Sequence, residues 1–446
     1  MRVLFRDITL IDGVSDEPLV HVDVLVEGDR IATITGVAAV TDGRARPGSP
    51  VVPITPDRPV VPVPLPSLPV PPMPAPDRVV DGAGVTLLPG LIDCHVHYTV
   101  DPDAADGFVA AATGPRARTA LMAASLARRA LASGVTTARS AGAAGALDVV
   151  LRDAIAAGLV PGPRLLAAGP AVTITGGHGR WFGREVDGEV EMVRAVRRNI
   201  RDGSDVIKVV ASEAAMLTTA RAGVQEIGPR ELRAIVGEAG RLGVRVLSHA
   251  QGADSVVASA EAGVASVEHA FLADEPALEA LARSGATLVP TLVVTDAWRT
   301  LPGLDDAQRR RQAEIEVAHR RSCEIAIGLG IPLATGTDCG VPGVSPDVLW
   351  REIRLLHEHG LPAMDALRAA TSVAARLLGL EGMVGHVAPG MSADLVLVDG
   401  DPLSDLGVLR RPRLVMQAGR IVSERTGSDG PARSHDGGPG TARMPD

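Results

Sequence analysis

Val206-Ile207-Lys208-Val209-Val210 is a short apolar run set between two stretches of helical spacing, Gly188 to Asp202 and Pro229 to Leu242. The same alternation recurs from Val85 onward. Strand candidates are Leu91 to His97, Val135 to Arg139, Arg164 to Ala168, Val206 to Ala211, Arg245 to His249, Ser266 to His269, Thr287 to Pro290 and Ile331 to Thr335. Alanine-rich helical segments lie between them, among them Arg118 to Ala132 and Asp306 to Leu329. Strands alternating with helices argue for a parallel sheet, and eight repeats suit an α/β fold closed as a (β/α)8 TIM barrel. An open doubly wound sheet is the alternative, weakened because no GxGxxG follows the first strand.

The opening run also holds the only lysine of the chain. Of 44 lysines and arginines, 43 are arginines. A sequence that uses arginine wherever a surface cation would serve has kept one amine, in an apolar strand where a charge is expensive to bury. Arginine stays protonated, whereas a desolvated lysine loses its proton readily and its amine can be modified. Survival by chance, or an amine snorkelling from a strand end, is the competing reading.

Both chain ends read as strands. Val22 to Gly28 and Arg30 to Ile34 have the pattern of a hairpin, and Ala393 to Asp399 and Leu414 to Val422 return to strand spacing after a helix at Ala363 to Leu378. The simplest arrangement is a small β-sandwich domain built from residues 1–84 and 381–425, with the barrel at 85–380. A proline-rich insertion at 46–76 can supply neither sheet donors nor a helix interior, and a tail at 426–446 has the composition of disorder.

The net charge of −9 and an aromatic content of 2% disfavour nucleic acid as a partner. Cys94, Cys323 and Cys339 are scattered, which fits a reducing compartment better than a disulfide framework. The N-terminus has charges where a signal peptide would be apolar, and no apolar run reaches the roughly eighteen residues of a membrane span. A cytoplasmic enzyme acting on a small molecule, with no membrane partner, is expected; a homo-oligomer is allowed and not required.

Catalytic groups of such a barrel sit at the C-terminal ends of its strands. The first strand ends in His95-Val96-His97, and a period of two puts both imidazoles on one side. Lys208 lies in the fourth strand, His249 ends the fifth, His269 ends the sixth, and Asp338 follows the eighth. Singly, each is more often structural; together at one rim they point to a metal site. Imidazole suits zinc and its neighbours, and a carboxylate adds a hard ligand. Lys208 that has reacted with carbon dioxide would be a carbamate, a bidentate anion able to bridge two divalent cations. Two metals roughly 3.5–4 Å apart would hold a bridging hydroxide, with Asp338 taking its proton during attack on a carbonyl and passing it to the leaving nitrogen.

The segment Pro89 to His97, followed in order by the lysine, two histidines and the aspartate, resembles the amidohydrolase superfamily of metal-dependent hydrolases. The resemblance implies one metal on His95, His97 and Asp338, another on His249 and His269, and carboxylated Lys208 between them. Gly134 to Arg139 and Thr175-Gly176-Gly177-His178-Gly179 look like the branch of imidazolonepropionase-related proteins and Xaa-Pro or Xaa-Arg dipeptidases. Lys208 favours the dipeptidase side, since imidazolonepropionases lack the modified lysine. His178, in a glycine-rich turn, could approach a substrate carbonyl, with an inert loop histidine as the alternative. Glu213 and Arg221 bring charges to the rim where relatives have a Gly-Gly pair, so the substrate pocket is expected to differ. Amide hydrolysis of a dipeptide or N-acyl amino acid leads; a cyclic amide or lactone substrate, and metal binding without turnover, are the alternatives.

Overall fold

The computed structural model describes residues 1–36, 75–104, 107–214 and 221–425. The tail placed at 426–446 and all but the last two residues of the insertion placed at 46–76 lie outside these.

Through the middle of the chain, parallel strands alternate with helices as the spacing predicts. Leu91–Val96, Val135–Ser140 and Arg164–Leu166 pair as a three-stranded sheet. A six-stranded sheet, also parallel, runs in the order Gly183–Glu185, Ala171–Thr173, Val206–Val210, Arg245–Gly252, Ser266–Leu272 and Thr287–Val289. The strand expected over Arg164 to Ala168 stops at Leu166. It pairs with Val135–Ser140, and a separate strand, Ala171–Thr173, follows beside Val206–Val210. Pro170 has no N–H to give a ladder, and the partner changes there.

No ladder forms over Ile331 to Thr335. That segment makes one bridge, Leu333 to Leu288, and its Thr335 carbonyl accepts from the Cys94 amide at 2.8 Å. Pro332 removes a donor from five residues, and the chain turns soon after at Asp338, whose φ is 56°. The Asp338 amide donates to the His95 carbonyl at 2.7 Å, tying the segment to the first parallel strand.

All five residues of Val206–Val210 and all six of Val135–Ser140 are buried, because helices cover the outer faces of the sheets. Met192 and Val196 of Gly188–Arg201, and Leu232 and Ile235 of Pro229–Arg241, belong to the same core as Ile207 and Val209. Full burial of such side chains stabilises by roughly 1.5–3 kcal/mol each. The long helix Asp306–Gly328 starts where Asp305 accepts from the Gln308 amide and Gln308 returns the contact, a capping box.

The two chain ends hydrogen-bond into one sheet of eight strands. Its order is Arg420–Glu424, Leu414–Gln417, Leu395–Asp399, Val85–Pro89, Arg2–Leu10, Leu19–Glu27 and Arg30–Thr35, with Arg78–Asp81 also on Arg2–Leu10. The expected hairpin is present, Glu27 facing Arg30. Its core of Val3, Phe5, Leu87, Leu395 and Met416 is separate from that of the parallel strands. The strand expected over Leu414 to Val422 is two, turning at Ala418 and Gly419, whose φ values are 45° and 71°. Its second half runs on to Ser423 and Glu424, just past the expected end. A Cβ on Gly419 would stand 1.8 Å from the Gly28 carbonyl oxygen, backbone that cannot swing aside. Gly419→Ala should therefore destabilise by at least about 1–3 kcal/mol, and thermal denaturation should show the loss as a lower Tm. The helix expected over Ala363 to Leu378 is also two, Ala363–Ala369 and Ser372–Leu378, because Thr371 adopts φ −136° and ψ −95°.

One buried carboxyl links helices across the fold. Glu352, in Leu349–Glu358, accepts from the amides of Leu292 and Val293 at 3.0 and 2.8 Å, supplying the start of Leu292–Trp298 with acceptors. Burial pushes its pKa up to about 8, against the pull of those two donors. A folded-state pKa above the unfolded value of about 4.3 means that the native state binds more protons between the two, so this group lowers stability as pH rises through that window. Glu352→Gln should flatten the fall in Tm between pH ~4.5 and ~8. Equal pH slopes in variant and parent would show that the carboxyl is not held protonated.

Candidate metal centre

His95 is the penultimate residue of the strand Leu91–Val96 and His97 follows it; Lys208 is the third residue of Val206–Val210; His249 and His269 lie in Arg245–Gly252 and Ser266–Leu272. Register places these strands so that Val210 faces His249 and Ala250 faces His269. His269, Thr291 and Asp338 all have φ between 56° and 76°, a conformation that costs free energy in residues other than glycine and concentrates at functional sites. All seven candidates, His95, His97, His178, Lys208, His249, His269 and Asp338, line one cavity of about 760 Å³. Their imidazoles form a chain, with ring centroids 5.4 Å apart for His95–His97, 4.9 Å for His95–His269, 4.6 Å for His269–His249 and 4.9 Å for His249–His178.

The partners of the Nδ1 atoms fix which nitrogen of each ring is free. His95 Nδ1 lies 2.7 Å from Glu268 Oε2, and His97 Nδ1 lies 3.0 Å from the Gly142 carbonyl. His269 Nδ1 lies 2.8 Å from Thr291 Oγ1, whose own hydroxyl donates to the Pro290 carbonyl at 2.6 Å. Every one of these partners is an acceptor, so each Nδ1 carries the proton and each Nε2 presents a lone pair. His95 Nε2 and His97 Nε2 each stand 3.4 Å from the same oxygen, Asp338 Oδ1. His249 Nε2 is buried with no hydrogen-bond partner among the described residues.

Burial holds His95, His249 and His269 well below the usual imidazole range and His97 at about 3, so all four are neutral. Burial raises the Asp338 carboxyl and lowers the Lys208 amine, each opposed by the other's charge. Lone pairs converging on a carboxylate oxygen repel unless a cation lies between them. Ligand atoms of His95, His269 and Asp338 all come within 4.8 Å of one another, a trio that could hold a metal ion. This grouping joins His269 to His95 and Asp338, across the division that assigns His269 to the other metal.

Behind the ligand atoms stands a network that the sequence reading missed. Glu268 is fully buried and takes Arg139 Nη2 at 2.8 Å as well as His95 Nδ1. Arg139, itself buried, donates to the Cys94 carbonyl at 2.7 Å and to Ser266 Oγ at 3.1 Å. Asp93 accepts from the Thr337 amide and hydroxyl at 3.0 and 2.6 Å, fixing the turn that carries Asp338. A charged residue in each of three apolar strands was the available signal; which charge pairs with which was not readable along the chain.

His178 sits at the cavity edge. Its Nδ1 is buried without a hydrogen bond, 3.6 Å from Glu213 Oε1, and the imidazole holds the Glu213 carboxyl below its usual value. Glu226 receives the His178 amide at 3.0 Å and so positions this turn. Cys94, Cys323 and Cys339 are free and buried. No described helix is long and apolar enough to cross a membrane.

Residues 86–422 match the amidohydrolase family. The ochratoxinase of Aspergillus niger is 30% identical over 362 residues, covering 74% of this chain and 73% of that protein. An imidazolonepropionase of Rhizorhabdus wittichii is 28% identical over 370 residues, covering 73% of this chain and 82% of that one. A solved Xaa-Pro dipeptidase with methionine bound in its active site superposes with a TM-score of 0.78 at 27% identity, over 94% of this chain and 99% of that one.

Proposed function

The chain belongs to the amidohydrolase family, and from that premise we propose that it is a metal-dependent hydrolase that cleaves an amide C–N bond in a dipeptide or N-acyl amino acid. The observation that carries this reading is the convergence of the His95 and His97 Nε2 lone pairs on Asp338 Oδ1, with the Nδ1 protons engaged elsewhere. The donor set fits divalent cations, zinc first, and the orphaned Nε2 of His249 gives a second point of attachment. We read the two parallel sheets as parts of one (β/α)8 barrel at 85–380, with Val85–Pro89 itself paired into the small β-domain that residues 1–84 and 381–425 otherwise form.

In this reading His95, His97, His249, His269 and Asp338 would hold two divalent ions, with Lys208 between them. The Lys208 amine, desolvated in its strand, would form an N–C bond to carbon dioxide and release a proton to solvent, leaving a carbamate with two oxygen ligands. Bound cations would polarise the scissile carbonyl and acidify water. Asp338 takes the proton of the attacking water on its carboxylate and returns it to the departing nitrogen, giving a carboxylic acid and an amine. His178, which lines the cavity, donates to the carbonyl oxygen as charge develops there.

Purified protein loaded with zinc and assayed with dipeptides, N-acyl amino acids, cyclic amides and lactones tests the assignment. Release of amine from the linear amides, abolished by a chelator and restored by metal, is the expected result. Preferential opening of cyclic amides or lactones would instead favour an imidazolonepropionase-like activity, the reading that the 28% identity to that enzyme supports. Absence of turnover across the panel at full metal loading would leave a metal-binding homologue without catalysis.

A further inference from the structure

Aromatic side chains are scarce here: four phenylalanines, three tryptophans and one tyrosine in 446 residues. Five of these eight, Phe108, Trp181, Phe182, Phe271 and Trp298, line the cavity that holds the histidine cluster. They arrive from separate parts of the chain. Phe108 lies in Gly107–Thr113, Trp181 and Phe182 in the turn after Ala171–Thr173, Phe271 in Ser266–Leu272 and Trp298 at the end of Leu292–Trp298. No single aromatic-rich stretch accounts for the gathering.

Filling space does not by itself account for it either, although Phe271 and Trp298 also belong to the main core. Elsewhere the two larger cores are built mainly from alanine, valine, leucine and isoleucine, with Phe5 and Tyr98 their buried aromatic members away from the cavity. Four of the five aromatic rings stand beside a histidine of the polar centre, and Trp298 stands behind Phe271 at 6.4 Å. Phe108 and Phe182 each stand 5.3 Å from His97 and 5.4 Å from one another, Phe271 stands 5.4 Å from His269, and Trp181 stands 5.7 Å from His178. The chain has 43 arginines, yet none is among the described residues that line the cavity. A guanidinium is the usual partner of a substrate carboxylate. This wall therefore offers π faces to the group flanking the scissile bond, and little to the charged ends of a dipeptide.

We propose that the amide cleaved here bears a planar aromatic group on its acyl or its amine portion, an inference that rests on the hydrolase reading above and narrows its substrate class. Water adds to the amide carbonyl, the C–N bond breaks, and an aromatic acid with an amine, or an acid with an arylamine, leaves.

The full metal-loaded chain is assayed with N-acetylglycine, N-cyclohexanecarbonylglycine, N-(2-naphthoyl)glycine and glycine 2-naphthylamide, following release of the amine. One of the two naphthyl compounds should exceed N-acetylglycine in kcat/KM by at least about tenfold and the cyclohexyl compound by several-fold. The better of the two tells which side of the bond meets the aromatic wall. Equal or greater kcat/KM for the acetyl or cyclohexyl compound overturns the proposal. Calorimetric titration with 2-naphthoate, cyclohexanecarboxylate and acetate separates this from the hydrolase reading, because the carboxylate is common to all three. Preferential binding of naphthoate with no turnover of any amide would sink the hydrolase reading and leave the aromatic site standing. Naphthoate that binds no tighter than the other two overturns the site. Trp298→Leu and Phe108→Leu, each checked for folding by circular dichroism, should shrink the naphthoate preference several-fold, and an unchanged preference in both overturns the aromatic wall.

Discussion

A Lys208→Arg variant should lose its paired metal and nearly all activity, with kcat/KM reduced by roughly 10²–10³-fold or more. Lys208 is the only lysine of the chain, 2% exposed in a strand whose residues are all buried. Among the described residues no carboxylate lies close enough to form an ion pair with it, and burial lowers its pKa. An amine in that setting gives up its proton readily, which is the condition for adding carbon dioxide. Arginine keeps the positive charge and cannot form the carbamate, so it would place a cation where the proposal needs an anion. The expected measurement is metal content by atomic absorption after dialysis, beside steady-state kinetics. Two retained equivalents of metal in Lys208→Arg would eliminate the bridging carbamate. Lys208→Ala supplemented with formate or acetate provides a rescue arm, since a small carboxylate can occupy the space of the modified side chain.

Asp338→Asn should separate binding from turnover. Asparagine keeps an oxygen in the place of Oδ1 and the backbone tie to the His95 carbonyl, so part of the metal affinity should survive. What it lacks is a base. Loss of a positioned general base typically costs about 10²–10⁴-fold in rate, and kcat should fall by that order at full metal loading. The variant stays folded if the Asp93 contacts to Thr337 set the turn, and Asp93 keeps them in either case. Undiminished kcat would remove Asp338 from the proton-transfer role while leaving it available as a ligand.

These two residues also mark what could be read along the chain. Lys208 stood out because one amine among 43 arginines in an apolar run is a local anomaly, and strand periodicity placed His95 and His97 on one side without any knowledge of their neighbours. Alternation of strands and helices, the hairpin at Glu27 and Arg30, and the helix starts near Gly188, Pro229 and Asp306 were legible for the same reason: each depends on residues within a few positions of one another. The separation of Arg164–Leu166 from Ala171–Thr173 was readable in principle, since Pro170 stands between them.

Longer-range features were not legible. Glu268 sits beside His269 in sequence, yet its partners Arg139 and His95 lie 129 and 173 residues away. Thr291 and the Gly142 carbonyl set the proton positions of His269 and His97 from loops that carry no sequence mark. Composition shows that aromatic residues are few; only packing brings five of them into one cavity. The sequence alone thus determined the alternation of elements and the choice of candidate side chains, because backbone periodicity and side-chain chemistry are local properties. Tertiary structure alone decided which nitrogen of each imidazole is free, which histidines share an oxygen, and what surface surrounds them, because hydrogen bonding and desolvation depend on neighbours that the chain brings together only when folded.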